Sequence, residues 1–339
     1  MNAVGFDLGS SSLKIVEDAK SGKDSRILKA IEFSHPFGTM LPQDSASMGQ
    51  LAAMVKQTLV EKKIPTDNIR AALPESLIST KIISTPMLSD AELASAIDWL
   101  AEQNIAIPLE ELSIEYEVLY RPDANKHGEN MRVMLIGVPK KLIQNYMSFF
   151  AHLEVEPVVM ETQVISILRS IMVPEMPTTL VVHMGANNTD FFIVHNGELV
   201  FVYSFPNGGR LLTRAVERGL NLDSPQAEEY KKTYGVDPTQ LEGKMVGILQ
   251  PVMQLFVGEM QKAMQFFTSQ FGTLSVKRIL LSGGGAHLPG ILQYFTTQLN
   301  VETVIAHPFL RFQTDTKVQL PLDREASFIV ACGLAMREA

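Results

Sequence analysis

The chain has 339 residues, 46% of them hydrophobic and 19% charged, with 29 basic against 37 acidic side chains and a net charge of −8. This is a globular composition, long enough for about two domains with a substantial core. The acidic balance, with no basic run, zinc spacing or aromatic RNA motif, argues against nucleic-acid binding. The single cysteine, Cys332, excludes a disulfide framework and suits a reducing cytoplasm.

Residues 3–33 read as three strands. Between the first two runs Gly5-Phe6-Asp7-Leu8-Gly9-Ser10-Ser11-Ser12-Leu13-Lys14, with an acid ending one strand and a lysine just inside the next. A turn of Gly and three Ser can converge its backbone N–H groups on an anion. Asp7 then stands where a hydrated Mg²⁺ needs a carboxylate, and Lys14 supplies a point charge. Alone, the same stretch also reads as an ordinary hairpin with a polar turn. A helix starting after Ser45 or Ser47 is expected to carry Leu51, Met54, Val55, Thr58 and Leu59 on one face, with Pro65 closing it and a short strand over 69–73.

Residues 74–155 have their own pattern. A strand over 78–83 leads to the capping box Ser89-Asp90-Ala91-Glu92 and a helix through Gln103. Alternation at Leu112, Ile114, Tyr116, Val118 and Tyr120 predicts a half-buried strand. A polar loop over 123–130, a strand over 131–138 and a helix over 139–153 complete a small α+β insert. The apolar stretch 155–160 precedes a helix over 162–171, and the proline-flanked 173–177 marks a crossing to a second half.

There the strand–turn–strand pattern returns: Thr179-Leu180-Val181-Val182, then His183-Met184-Gly185-Ala186-Asn187-Asn188-Thr189-Asp190, then Phe191-Phe192-Ile193-Val194. A second copy about half a chain later indicates two lobes rather than a repeat array. Asn196-Gly197 signals a hairpin. Helices are expected over 210–220, over 224–234 with Pro225 at its first position, and over a Met-rich 244–271 whose Met253, Met260, Met264, Phe256 and Phe267 read as core. A strand over 278–281 ends in Ser282-Gly283-Gly284-Gly285, where glycines admit a flat ligand ahead of a helix starting near Leu288; a plain connection reads the same. Glu228 and Lys231, three apart on one helical face, suit a ribose or base, or else form a surface ion pair. An apolar helix over 325–337 holds Cys332, read as an inert core thiol. The seven histidines show no metal-type pairing, and His195 and His307 read as structural or exposed. No stretch approaches about 18 consecutive apolar residues, and neither a signal peptide nor a terminal amphipathic anchor is expected.

In this order the motifs resemble the actin-like ATPase superfamily, an α/β, two-lobed, duplicated ribonuclease H-like fold. Within it they are most similar to the PilM family of type IV pilus assembly proteins, relatives of the division protein FtsA, whose C-terminal amphipathic anchor is not expected in this chain. The resemblance rests on residues 6–14, Asn207-Gly208-Gly209-Arg210-Leu211-Leu212-Thr213, Ala227-Glu228-Glu229-Tyr230-Lys231, residues 282–285 and Ala331-Cys332-Gly333-Leu334-Ala335-Met336-Arg337. It implies a first-lobe core over 1–73, the insert over 74–155, and a connecting helix over 156–177. It implies a second-lobe core over 178–209 and 273–322, a helical adenosine side over 210–272, and a last helix over 323–339 returning to the first lobe.

By that resemblance Asp7 holds Mg²⁺, and Gly9, Ser10, Ser11, Ser12 and Lys14 hold the phosphates of ATP. Gly185, Ala186, Asn187, Asn188 and Thr189 form the second clamp, with Gly208 and Gly209 beside it. Glu228, Lys231, Gly283, Gly284 and Gly285 hold adenosine. The implied function is an ATP-binding scaffold at the cytoplasmic face of the inner membrane. It takes the N-terminal cytoplasmic tail of PilN, possible further contacts being other pilus inner-membrane and motor proteins, and reaches the membrane only through partners. One departure matters: the family carries Asp-Ile-Gly where this chain has His183-Met184-Gly185. Imidazole is a poor Mg²⁺ ligand, so slow or absent hydrolysis is expected; a protonated His183 could instead pair with a phosphate. Asp190 is a candidate to compensate. Glu161 and Gln163, on the connecting helix, are the candidates to position water. The competing readings are a nucleotide-free adaptor like the cytoplasmic part of the secretion protein GspL, and a metabolite kinase of the same superfamily, which would need a general-base carboxylate.

Overall fold

A computed structural model describes residues 2–21, 24–122, 128–314 and 318–338. The polar loop expected over 123–130 and the loop over 21–25 lie partly outside these residues. The chain begins with β1 (Ala3–Leu8), β2 (Ser12–Ser21) and β3 (Asp24–Ser34). Helix α1 (Ser45–Glu61) is capped by the Asp44 carboxylate, which accepts from the Ser47 N–H at 2.8 Å. Its buried stripe is Met48, Leu51, Ala52, Val55 and Leu59. Met54, expected on that stripe, is exposed, because the stripe begins a turn earlier at Met48 and is rotated toward Ala52. Strand β4 (Ile69–Leu73) follows.

Next come β5 (Ser79–Thr85), α2 (Asp90–Asn104), β6 (Leu112–Tyr120), β7 (Met131–Pro139) and α3 (Lys140–Leu153). The Ser89–Glu92 capping box closes with both of its hydrogen bonds. The three strands form a separate sheet, β5-β7-β6, over a small core that includes Leu93, Ala101, Met131 and Leu135. Although α3 follows this sheet in sequence, its Tyr146, Phe149, Phe150 and Leu153 pack into the first-lobe core with β1 and α1. In packing terms the insert therefore ends before residue 155.

The chain continues with β8 (Val159–Thr162) and α4 (Gln163–Ile171), which belong to the first lobe, then β9 (Thr179–Met184), β10 (Thr189–His195) and β11 (Glu198–Phe205). Asn196 and Gly197, both with positive φ (50° and 79°), make the two-residue turn between β10 and β11. Helices α5 (Gly209–Leu220), α6 (Ser224–Tyr234) and α7 (Lys244–Phe271) follow, then β12 (Arg278–Ser282), α8 (Ile291–Leu299), β13 (Glu302–Ile305), the two-residue β14 (Gln313–Thr314) and α9 (Ile329–Met336). The apolar stretch before α4 thus closes as strand β8. The helix expected near Leu288 begins at Ile291, after a single 3₁₀ turn over Gly284–His287. The last helix starts as 3₁₀ turns over Leu322–Phe328.

The large sheets repeat one plan. The first is ordered β14-β3-β2-β1-β4-β8 and the second β11-β10-β9-β12-β13. In each, three antiparallel strands are extended by two parallel ones, and in the first the short β14 adds a further parallel strand at the β3 edge. The turn that opens each sheet, after β1 and after β9, therefore sits at the same end of its lobe. Helix α9 returns to the first lobe and packs between β1 and α4. A Cβ on Gly333 would run into the Ser166 carbonyl of α4, so only glycine permits this approach. Among the described residues no helix is long and apolar enough to cross a membrane.

Candidate functional site

The two turns line one cleft of about 940 Å³ between the lobes. Hairpin register explains the first half of it. Asp7 is directly opposite Lys14 across β1 and β2, and Lys14 is opposite Glu32 across β2 and β3, so all three side chains share one face. Asp7 is 4% exposed and its Oδ1 accepts from Gln163 Nε2 at 3.5 Å. Burial pushes its carboxyl above the usual range, and the Lys14 charge pulls partly back. The Lys14 side chain is 11% exposed, yet its Nζ makes one long hydrogen bond, 3.4 Å to the Ser12 carbonyl, and lies 4.0 Å from Glu32. A nearly buried ammonium with partners this distant is poised for an anion.

The second half is built on β9 and its neighbours. His183 Nδ1 is 3.1 Å from Ser282 Oγ on the adjacent parallel strand. Burial, with Lys14 nearby, lowers the imidazole to about 4, so it is neutral near pH 7. Pairing between a protonated His183 and a phosphate is therefore not prepared in this cleft. Asp190 lies opposite His183 across the hairpin but is fully buried and off the cleft, bonded by Asn188 Nδ2 at 3.1 Å and Ser204 Oγ at 2.6 Å. It does not stand in for the missing acid.

The N–H groups of Gly209 and Arg210, at the start of α5, donate to the Gly185 and Ala186 carbonyls, both at 2.9 Å. They brace the second turn and are not free for an anion. The Arg210 guanidinium crosses the cleft to the Gly38 carbonyl at 2.5 Å and the Ser10 carbonyl at 3.3 Å. Glu228 and Lys231 are not a surface pair. Lys231 is 8% exposed, and its Nζ donates to Glu228 at 2.6 Å, Thr213 Oγ1 at 3.0 Å and the Gly209 carbonyl at 3.2 Å. Burial would raise the Glu228 carboxyl, but Lys231, Thr213 and Lys232 outweigh it and hold it low. Gly283 has φ +78° and lies against the Met184 carbonyl, while a Cβ on Gly284 would meet nothing within 4 Å. The glycine turn thus leaves an open face on the same cleft.

Asp7, Gly9, Ser10, Ser11, Ser12 and Lys14 line this cleft, joined by Gln163 and His183. Gly185, Ala186, Asn188, Gly209, Glu228 and Lys231 line it from the second lobe, with Gly283, Gly284 and Gly285. Besides Asp190, four sequence candidates do not. Asn187 points outward, its amide donating to the Gly38 carbonyl at 3.4 Å. Thr189 is fully buried and bonds the Asn207 carbonyl at 2.9 Å. Gly208 packs against the backbone of Gly185 and Ala186. Glu161 is held by Arg169 at 2.5 and 2.9 Å, Ser166 at 2.7 Å and Arg337. Burial pushes its carboxyl up, but those partners prevail and hold it ionised and occupied. It is a tie between α4, β8 and the chain after α9, not a base facing the cleft. Sequence reasoning assigned no site role to Glu32, to Arg210 (named only within the 207–213 motif) or to Arg324, which also line the cleft. Glu32 was findable by drawing the register of the first hairpins; nothing in the sequence pointed to Arg324.

The sequence model of the family described as type IV pilus assembly protein PilM matches residues 5–339. The chain is similar over 99% of its length to a solved PilM-PilN type IV pilus biogenesis complex, covering 98% of that chain at 24% identity and a TM-score of 0.85. It is also similar to the ethanolamine utilization protein EutJ from Carboxydothermus hydrogenoformans, over 99% of this chain and 89% of that one, at 13% identity and a TM-score of 0.60. The fold is the two-lobed actin-like α/β architecture.

Proposed function

Because this chain belongs to the type IV pilus assembly protein PilM family, we propose that it is a scaffold of the pilus inner-membrane assembly complex that holds an adenine nucleotide between its lobes. The observation that carries the nucleotide reading is the buried, under-partnered Lys14 amine, set opposite Asp7 beneath a Gly-Ser turn in a cleft shared with a second such turn.

The residues present fit Mg-ATP. The open face at Gly284 can take the base, and Glu228 and Lys231 lie beside it for the ribose. Ser10, Ser11, Ser12 and Lys14 reach one side of the phosphates, and the turn over 185–188 reaches the other. Asp7 offers one carboxylate, which suits Mg²⁺ because that ion keeps most of its waters and binds through one or two carboxylates plus phosphate. Bound Mg²⁺ would neutralise phosphate charge. This chain's own groups position and shield, and the residues expected to activate water offer no free carboxylate. His183 is neutral and tied to Ser282, Gln163 carries an amide, and Glu161 is occupied. These three residues support slow or absent hydrolysis, and Glu161, the carboxylate on which the kinase reading would draw, is occupied.

The N-terminal cytoplasmic tail of PilN is the proposed partner, supported by the family and by the likeness to a chain of a PilM-PilN type IV pilus biogenesis complex. The protein would then sit in the cytoplasm at the inner membrane, held there through partners. Calorimetric titration of Mg-ATP into the full chain and its Lys14→Ala variant tests the reading. The wild type should bind, and the variant should lose about 10- to 100-fold in affinity, the worth of one charge-assisted contact. Equal, negligible heats in both would favour the nucleotide-free adaptor.

A further inference from the structure

Glu32 enters the phosphate end of the cleft from β3. Its Oε1 accepts from Ser12 Oγ at 2.6 Å and lies 4.0 Å from Lys14 Nζ. Its Oε2 is buried without a hydrogen bond among the described residues, 3.2 Å from the half-exposed Arg324 guanidinium in an ion pair, and the Glu32 side chain is 16% exposed. A turn hydroxyl, the buried lysine and an arginine thus converge on one carboxylate. These are the donors that a terminal phosphate would use.

We propose that Glu32 occupies the place of a terminal phosphate, so that the cleft selects a nucleoside diphosphate over a triphosphate. The inference rests on the nucleotide reading above and specifies which ligand that site prefers. Beside Ser12, Lys14 and Arg324, Glu32 already places a negative charge at this part of the cleft. A diphosphate can use the backbone of the two turns and the near side of Lys14 while Glu32 stays in place. A triphosphate brings its third phosphate to the carboxylate itself, where like charges repel in a poorly solvated site. It must break the Ser12 and Arg324 contacts or accept that repulsion.

The test titrates Mg-ADP and a Mg-bound non-hydrolysable ATP analogue into the full chain, as wild type and as Glu32→Gln. Glutamine keeps an oxygen for Ser12 and removes the charge, exchanging the second oxygen for an amide N–H donor. The wild type should bind ADP at least about tenfold tighter than the analogue, and the ratio in Glu32→Gln should fall to about two or below. Thermal melting shows whether the variant is folded; if it is not, the wild-type ratio decides alone. Wild-type preference for the triphosphate, parity between the two, or an unchanged ratio in Glu32→Gln overturns the inference and leaves the nucleotide reading standing. Failure of the wild type to bind either ligand removes both.

Discussion

His183 sits in β9 between Ser282 and Asp190, where a carboxylate would reach the cleft. Burial and the nearby Lys14 keep its ring uncharged, so it offers neither a hard oxygen ligand nor a cation. Replacing it restores the missing group: His183→Asp should raise ATP turnover at least about tenfold, within the range of one positioned acid or base. Steady-state phosphate release measures it, and fast wild-type turnover unaffected by the change would refute this role for His183. Much of the cleft lining was legible at this scale because Asp7 and Lys14 flank, and the glycines occupy, turns of distinctive residue type. Glu32, Arg210 and Arg324 were not. Each reaches the cleft from an ordinary strand, helix or 3₁₀ segment, and only register or tertiary packing brings it there.

The helices and strands came through where a local device marks them. The α2 capping box, the Asn196-Gly197 turn and Pro225 in α6 each set a boundary that the structure keeps. Strand β8 and the 3₁₀ starts before α8 and α9 were missed. The four-residue β8 is defined by its parallel partner β4, and the 3₁₀ turns are defined by what they pack on. Helix α9 shows how tightly such packing can bind an element. Gly333→Ala should destabilise the protein by roughly 3 kcal/mol, because the new methyl meets a backbone carbonyl that cannot turn aside. Urea unfolding measures this; a change under about 0.5 kcal/mol would show that α9 shifts freely against α4.

Across the molecule, the duplicated sheet order was foreshadowed by the two similar turns, while the acids buried near the lobe junction were not. Glu75, just after β4, is 4% exposed, and its Oε2 has no hydrogen-bond partner among the described residues. Burial raises its carboxyl from 4.5 to about 8, with a further push from Asp190 in the second lobe. Asp190, itself raised to about 6 by burial, titrates in the same direction. A group raised in the folded state contributes its full stability below its unfolded pKa, and that contribution is lost as pH climbs to the folded value. Glu75 should therefore cost the protein progressively more between pH 4.5 and about 8. Glu75→Gln should gain on the wild type over that window, by up to about 4 kcal/mol at its upper end. Melting curves from pH 4 to 9 provide the readout, and parallel curves for the two proteins would contradict the buried-acid account.

Nucleotide held by both turns would stabilise the chain by mass action and fix the relation of the lobes, which in the free protein depends in part on Arg210 and Asn187 reaching Gly38. The most direct measurement is a crystal structure of the full chain grown with Mg²⁺ and saturating adenine nucleotide. It should show the phosphates between residues 9–12 and 185–188, within hydrogen-bonding reach of Lys14 Nζ. Phosphates bound elsewhere, or a cleft holding only water at saturation, would contradict it.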